Sequence, residues 1–180
     1  MQPFTKTIAV YGSSAISQDS REAQQAEQLG KLLAGAQFKI CNGGYTGVME
    51  ACSRGAHSAN GQITGVICAA FAKRSPNPYL TETINTNDLL ERITTLMRLA
   101  DAYIVLDGNI GTMAELMLSW NLVATGWDKP VLIVGDAMKQ AVLTLQEHTA
   151  IHQKQIAMLT MVDNIEQAAQ WIKNYFDNHQ

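Results

Sequence analysis

Cys41-Asn42-Gly43-Gly44-Tyr45-Thr46-Gly47-Val48-Met49-Glu50 and Leu106-Asp107-Gly108-Asn109-Ile110-Gly111-Thr112-Met113-Ala114-Glu115 follow one plan. Each stretch comes after an apolar run, turns on glycines, and ends in a few helix-forming residues and a glutamate. A strand that turns into a helix this way leaves backbone N–H groups free at the helix start, where a phosphate or another anion can sit. Two such turns in one small chain point to a nucleotide-sized ligand held between them.

The flanking sequence supplies the rest of the pattern. Thr7–Gly12 reads as a buried strand ending in a glycine turn. Ser17–Ala36 carries Ala23, Ala26, Leu29, Leu32 and Leu33 at helical spacing, with Ser17 or Asp19 as cap and Gly35 near the end. Phe38–Cys41 is a second strand, Thr46–Ala59 a helix stopped by Asn60-Gly61, and Gln62–Cys68 a third strand. Ala69–Tyr79 holds Lys73, Arg74, Pro76 and Pro78 and reads as a loop, a common place for function. Thr81–Thr86 is β-prone, and Asn87 or Asp88 caps a helix to Leu99 with Leu90, Ile93, Met97 and Ala100 on one face. Asp101–Leu106 is a strand, Thr112–Ala124 a helix and Pro130–Val134 a strand. A helix over Ala137–Gln146, a loop, a short strand near Met158–Val162 and a helix over Asn164–Tyr175 complete the chain. This alternation predicts an α/β fold: a Rossmann-like doubly wound parallel sheet in three layers, one domain over residues 1–180. Right-handed crossovers put all strand C-termini on one edge, and ligands bind there, where the strand order reverses. Gly12-Ser13-Ser14 and both glycine-rich turns fall on that edge.

Composition narrows the classes. Thirteen Lys and Arg against 16 Asp and Glu leave a net charge of −3. With no basic cluster, nucleic acid is not an expected partner. Cys41, Cys52 and Cys68 form no C-x-x-C pair, which argues against a disulfide framework or a zinc site and fits a reducing cytoplasm. The N-terminus has no long apolar stretch, so no signal peptide is expected. No run approaches the roughly 18 apolar residues that span a bilayer. His57, His148, His152 and His179 make no metal-ligand pattern: His148 and His152 have helical i, i+4 spacing but no evident third ligand. No cofactor is implied.

Each candidate residue has a plain structural reading beside the functional one. Gly12, Ser13 and Ser14, with Gly43, Gly44 and Gly47, let backbone approach a ligand closely, yet a tight strand-to-helix turn favours glycine too. Gly111 and Thr112 open a helix, so their N–H groups are expected to point outward unsatisfied; the alternative is an N-cap without a ligand. Asp107, Gly108 and Asn109 complete that turn. Glu115 is a candidate acid/base or charge-stabilising carboxylate, although the helix dipole alone favours a glutamate there by roughly 0.3–1 kcal/mol. Glu50 has the same ambiguity after its own turn. Arg92 and Arg98 lie on the helix before the central strand, about 600° apart in rotation, so one reaches the cleft and the other solvent. The plain reading of Arg92 is a surface ion pair with Asp88. Met49 lines a pocket or joins Met97, Met113 and Met117 in the core, and Trp120 and Trp127 read as core or interface.

Val10-Tyr11-Gly12-Ser13-Ser14, Gly43 to Glu50 and Gly108 to Glu115 together resemble the LOG (LONELY GUY) family and its Rossmann-fold relatives formerly labelled lysine decarboxylases. The resemblance covers roughly Ile8 to Val134, and Asn77-Pro78-Tyr79 is similar to a loop of a bacterial subgroup. It implies binding of a small phosphorylated, nucleotide-like ligand, with hydrolysis of the N-glycosidic bond of nucleoside 5′-monophosphates. It further implies phosphate on Gly111 and Thr112, Glu115 and Arg92 serving the reaction, and a homodimer in which Leu116, Leu118, Trp120 and Leu122 supply a face. The family pattern is Pro-Gly-Gly-x-Gly-Thr-x-x-Glu after an Arg-Lys pair. This chain departs from it at Asp107 for proline, Asn109 for the second glycine and Ile93 for lysine. An ionised Asp107 beside a phosphate would repel it, by roughly 4 kcal/mol per unit charge at about 4 Å and an effective dielectric near 20. A non-catalytic carrier, similar to molybdenum cofactor carrier proteins, is the alternative. A decarboxylase is not expected, because no lysine stands in a pyridoxal-phosphate context.

Overall fold

The computed structural model describes residues 6–179. Seven parallel strands form one sheet in the order β4-β3-β2-β1-β5-β6-β7. In chain order they are β1 (Thr7–Tyr11), β2 (Lys39–Asn42), β3 (Ile63–Cys68), β4 (Glu82–Thr86), β5 (Ala102–Val105), β6 (Val131–Ile133) and β7 (Leu159–Met161). The helices are α1 (Arg21–Gly35), α2 (Val48–Ser58), α3 (Leu89–Leu99), α4 (Ile110–Ala124), α5 (Asp136–His148), α6 (Gln153–Ile156) and α7 (Ile165–Asn178). A single 3-10 turn, Ala69–Phe71, follows β3. The doubly wound α/β architecture is the one the alternation predicts.

Alternation along the central strands divides the core in two. Ile8 and Val10 of β1, with Ala102 and Ile104 of β5, face α1, α2 and α7. Ala9 and Tyr11, with Tyr103 and Val105, face α3, α4 and α5. β5 throughout and β1 from Ile8 onward are apolar and buried, because helices cover both faces. The strand order reverses between β1 and β5, so the loops after those two strands flank the switch point.

Several local expectations shift. The α1 cap is Ser20, whose hydroxyl accepts from the Ala23 amide, rather than Ser17 or Asp19. Asp88 caps α3. The buried stripe of α3 is Arg92, Ile93, Leu96 and Met97, and Leu90 is 77% exposed, because at 100° per residue it lies about a quarter turn from the centre of that stripe. Helix α4 begins two residues earlier than expected, at Ile110, under the Asn109 cap. The loop expected before β7 contains α6, which is too short to show a period. Leu116 and Trp120 are buried within the chain, and the Trp120 indole donates to the Gln155 carbonyl, so neither is free to form an outer face; Leu118 is exposed. No helix among the described residues is long and apolar enough to cross a membrane.

Candidate functional site

The three glycine-bearing turns are joined by the main chain of Ser13. Its N–H donates to the Asp107 carbonyl at 3.1 Å, and its own carbonyl accepts from the Val48 amide at 2.8 Å. Gly47 permits the second contact. Its φ of 73° is in the left-handed region, and a Cβ there would strike the Ser13 carbonyl and Ser14. The buried Asn42 braces the first turn: its side chain accepts from the Gly44 amide and donates to the Met49 carbonyl and the Ser53 hydroxyl.

Beside this junction, on the α3/α4 face, opens a cleft of about 320 Å³, within the usual range for small-molecule sites. Of the expected ligand-binding residues, Gly12, Ser14, Gly43, Met49, Asn109, Gly111 and Thr112 line it, together with Arg92 and Glu115. The others stand elsewhere. Ser13, Gly44 and Gly47 serve the turns themselves. Glu50 is paired with Gln18 outside the cleft. Gly108 makes room for the Thr112 side chain, which a Cβ would strike. Arg98 is exposed near the end of α3, at the opposite edge of the sheet.

Asp107 is also displaced from its expected place. Its carboxylate accepts from the Met138 amide at 3.2 Å, at the start of α5, and lines a separate depression. There it opposes the positive end of a helix dipole. The expected repulsion of a ligand phosphate therefore has no source in the cleft. The expectation for Gly111 needs a correction too: its N–H is taken by Asn109 Oδ1 at 3.2 Å.

Arg92 is the centre of the site. It is 7% exposed and forms no surface pair with Asp88. Its Nε donates to the Val66 carbonyl at 2.8 Å, which fixes the guanidinium. Nη1 lies 3.9 Å from Glu115 Oε1. The guanidinium fits because residue 43 is glycine; a Cβ there would collide with it and with the Met49 sulfur. Glu115 has a side chain only 12% exposed. Burial pushes its carboxyl up to about 7, and the neighbouring Arg92 charge offsets part of that rise. Such a group exchanges a proton readily near neutrality.

The far wall of the cleft is aromatic. Arg92 lies 5.7 Å from the Tyr45 ring centre and 5.8 Å from that of Phe71. Arg74 stands 4.9 Å from the Phe71 ring on the outer side. The Tyr45 hydroxyl accepts from the Cys68 amide, which anchors the ring. Tyr11, Tyr45, Phe71, Arg74, Leu89 and Ile110 line the cleft without being anticipated. Tyr11, Tyr45 and Ile110 lie inside the quoted glycine motifs, and for Phe71 and Arg74 the signal was the Ala69–Tyr79 loop with its arginine. The charged lining is thus two arginines and one carboxylate, which favours an anionic ligand. Burial raises the Cys41 and Cys52 thiols to about 12, which makes them poor nucleophiles. Among the described residues no cluster of three His, Cys, Asp or Glu is placed to hold a metal ion.

Fold and cleft together define an α/β protein of the Rossmann-like class with a pocket at the switch point of its parallel sheet. The chain belongs to the SLOG cluster4 family, whose pattern it matches over residues 5–168, within the wider LOG/SLOG superfamily. It is 28% identical over 170 residues to the cytokinin riboside 5′-monophosphate phosphoribohydrolase of Mycobacterium tuberculosis, covering 90% of each chain. The X-ray structure of the protein TM1055 matches with a TM-score of 0.78 at 26% identity, over 94% of this chain and 99% of that one. The molybdenum cofactor binding protein of Rippkaea orientalis shares the fold, with a TM-score of 0.75 at 22% identity over 94% of this chain and 95% of that one.

Proposed function

We propose that the cleft binds a nucleoside 5′-monophosphate and hydrolyses its N-glycosidic bond. The observation that carries this reading is the Arg92–Glu115 pair, 3.9 Å apart and shielded from solvent, one turn below the start of α4. The relative from Mycobacterium tuberculosis, a phosphoribohydrolase by name, supports it.

The 5′-phosphate sits at the first turn of α4, against Asn109 to Thr112, where helix amides and dipole favour an anion. The sugar lies over Glu115 and Arg92, and the base reaches the Tyr45–Phe71 wall. As the C1′–N bond breaks, its electron pair leaves with the base nitrogen and positive charge builds on the sugar ring. Ionised Glu115 stabilises that charge and accepts a proton from the water that adds to C1′; the departing base takes up a proton. Arg74 and Arg92 supply the positive charge that the lysine of the family pattern would have given; Ile93, at that position, is packed in the core. Chromatographic assay of purine and pyrimidine monophosphates is expected to show release of free base, reduced at least about 100-fold in Glu115→Gln, the scale of loss for one charge-stabilising group. Substrates bound but returned intact refute hydrolysis.

That second outcome describes a carrier, the reading favoured by the apolar Ile93 in place of a lysine. A phosphorylated ligand then remains with the protein through gentle purification and appears in native mass spectrometry. We further propose a homodimer through the outer face of α4, where Leu118 is 39% exposed.

A further inference from the structure

In the nucleotide reading the aromatic end of the cleft takes the base, and the hydrogen-bonding character of that end is one-sided. Met49, Phe71 and Leu89 bring only carbon and sulfur. The Tyr45 hydroxyl is used in both directions: it accepts from the Cys68 amide at 2.9 Å and donates to the Cys68 carbonyl at 3.3 Å. Carbonyls of the same wall already accept. Those of Gly44 and Tyr45 take the main-chain and side-chain N–H groups of Asn77, and that of Phe71 takes the Arg74 amide at 2.8 Å. Two arginines complete this end, and a guanidinium donates without accepting. Side-chain acceptors gather at the other end, on Glu115 and on Asn109 and Thr112 at the start of α4.

The two arginines differ in freedom. Arg92 is buried, with Nε given to the Val66 carbonyl and Nη1 3.9 Å from Glu115 Oε1. Arg74 is exposed and so open to a ligand, and among the described residues its guanidinium has no carboxylate partner. It is held beside the wall all the same. Its guanidinium carbon lies 4.9 Å from the Phe71 ring centre and 5.9 Å from that of Tyr45, a cation–π arrangement that leaves the N–H groups free to donate. Arg74 borders both the cleft and an adjoining hollow of about 300 Å³ that shares Tyr45 and Phe71 with it. It therefore stands on the rim between the two, where the edge of a base resting on the wall arrives.

A base edge that suits donors must itself accept. A 6-oxopurine presents O6 and N7, two acceptors that match the fork of a guanidinium; a 6-aminopurine presents N7 beside an NH2 group, which sets donor against donor. Resting on the nucleotide reading above, we propose that Arg74 reads the base by donating to O6 and N7 of a purine. The cleft then prefers a 6-oxopurine nucleotide to a 6-aminopurine one.

The test compares wild type and Arg74→Met, with IMP and AMP as the probes. Preference is read as the ratio of kcat/KM where free base is released, and as the ratio of Kd where it is not. Wild type is expected to favour IMP roughly ten-fold or more, the scale of one bidentate contact. Arg74→Met is expected to bring the ratio within about two-fold by weakening IMP, while the value for AMP changes less than about three-fold and so reports an intact site. A wild type that treats the two alike, or favours AMP, overturns the base reading and leaves the nucleotide site standing. An equal loss of both probes in Arg74→Met overturns it as well, since Arg74 then only attracts the phosphate charge. A wild type that neither binds nor cleaves IMP or AMP removes the nucleotide reading itself, and this inference with it.

Discussion

Glu115 shows what one side chain gains from its surroundings. Because α4 starts at Ile110, Glu115 stands in its second turn rather than the first turn expected, beyond the helix-start dipole, and burial holds it protonated to about 7 rather than the ordinary 4.5. The sign of the resulting pH dependence follows. Between those two values the folded chain keeps a proton that the unfolded chain releases, so stability falls as pH rises through the window. The contribution is fully present below the lower value and is lost once pH passes the upper one. Melting curves of wild type and Glu115→Gln at pH 5 and pH 8 should therefore diverge. The wild type should lose up to about 3 kcal/mol relative to the variant over that interval. A constant difference across pH would show that the carboxyl is not held in this way. The position of Glu115 was legible from its turn. Its burial was not, because that depends on Arg92 from another helix and on the missing side chain of Gly43.

At the level of the element, two turns written alike in sequence do different work. The polar groups of the turn before α2 are largely consumed internally, with the Val48 amide bonded to Ser13, Asn42 spanning the loop and Glu50 turned to Gln18, and it gives the cleft only the surfaces of Gly43, Tyr45 and Met49. The turn before α4 faces the cleft and brings Thr112 and Glu115 into it. Local sequence could not separate them, since the difference lies in which neighbour each helix start meets after folding. Asp107 is the clearest instance. Read in line it threatens a phosphate; folded, it caps α5 through the Met138 amide. Asp107→Asn should leave AMP affinity within about two-fold of wild type while lowering stability by roughly 0.3–1 kcal/mol, the loss of one charge at a helix start. A tenfold gain in affinity would place the carboxylate beside the anion after all.

For the molecule as a whole, the parallel sheet, its order reversal and the common edge of the turns were all readable from the alternation of apolar runs and helical patterns. What escaped was the wall contributed by Phe71 and Arg74, which belongs to a proline-containing loop with no period to read. The outer side of α4 is the remaining whole-molecule question. Sequence grouped Leu116, Leu118, Trp120 and Leu122 as one face, but the fold buries the first and third and leaves Leu118 exposed. If two copies join there, Leu118→Glu should convert a dimer to a monomer in sedimentation equilibrium with no loss of helical signal. A wild type that sediments as a monomer at tens of micromolar would rule the arrangement out.

Ser13 works as a seam. Since its main chain fastens the loop after β1 to those after β5 and β2, resculpting any one of the three drags the other two along. The Ala69–Tyr79 segment is tethered to that seam more lightly, by the two bonds from Asn77 to the Gly44 and Tyr45 carbonyls. It is the place where a protein engineer can retune which guest the crevice accepts while Arg92 and Glu115 stay at their posts.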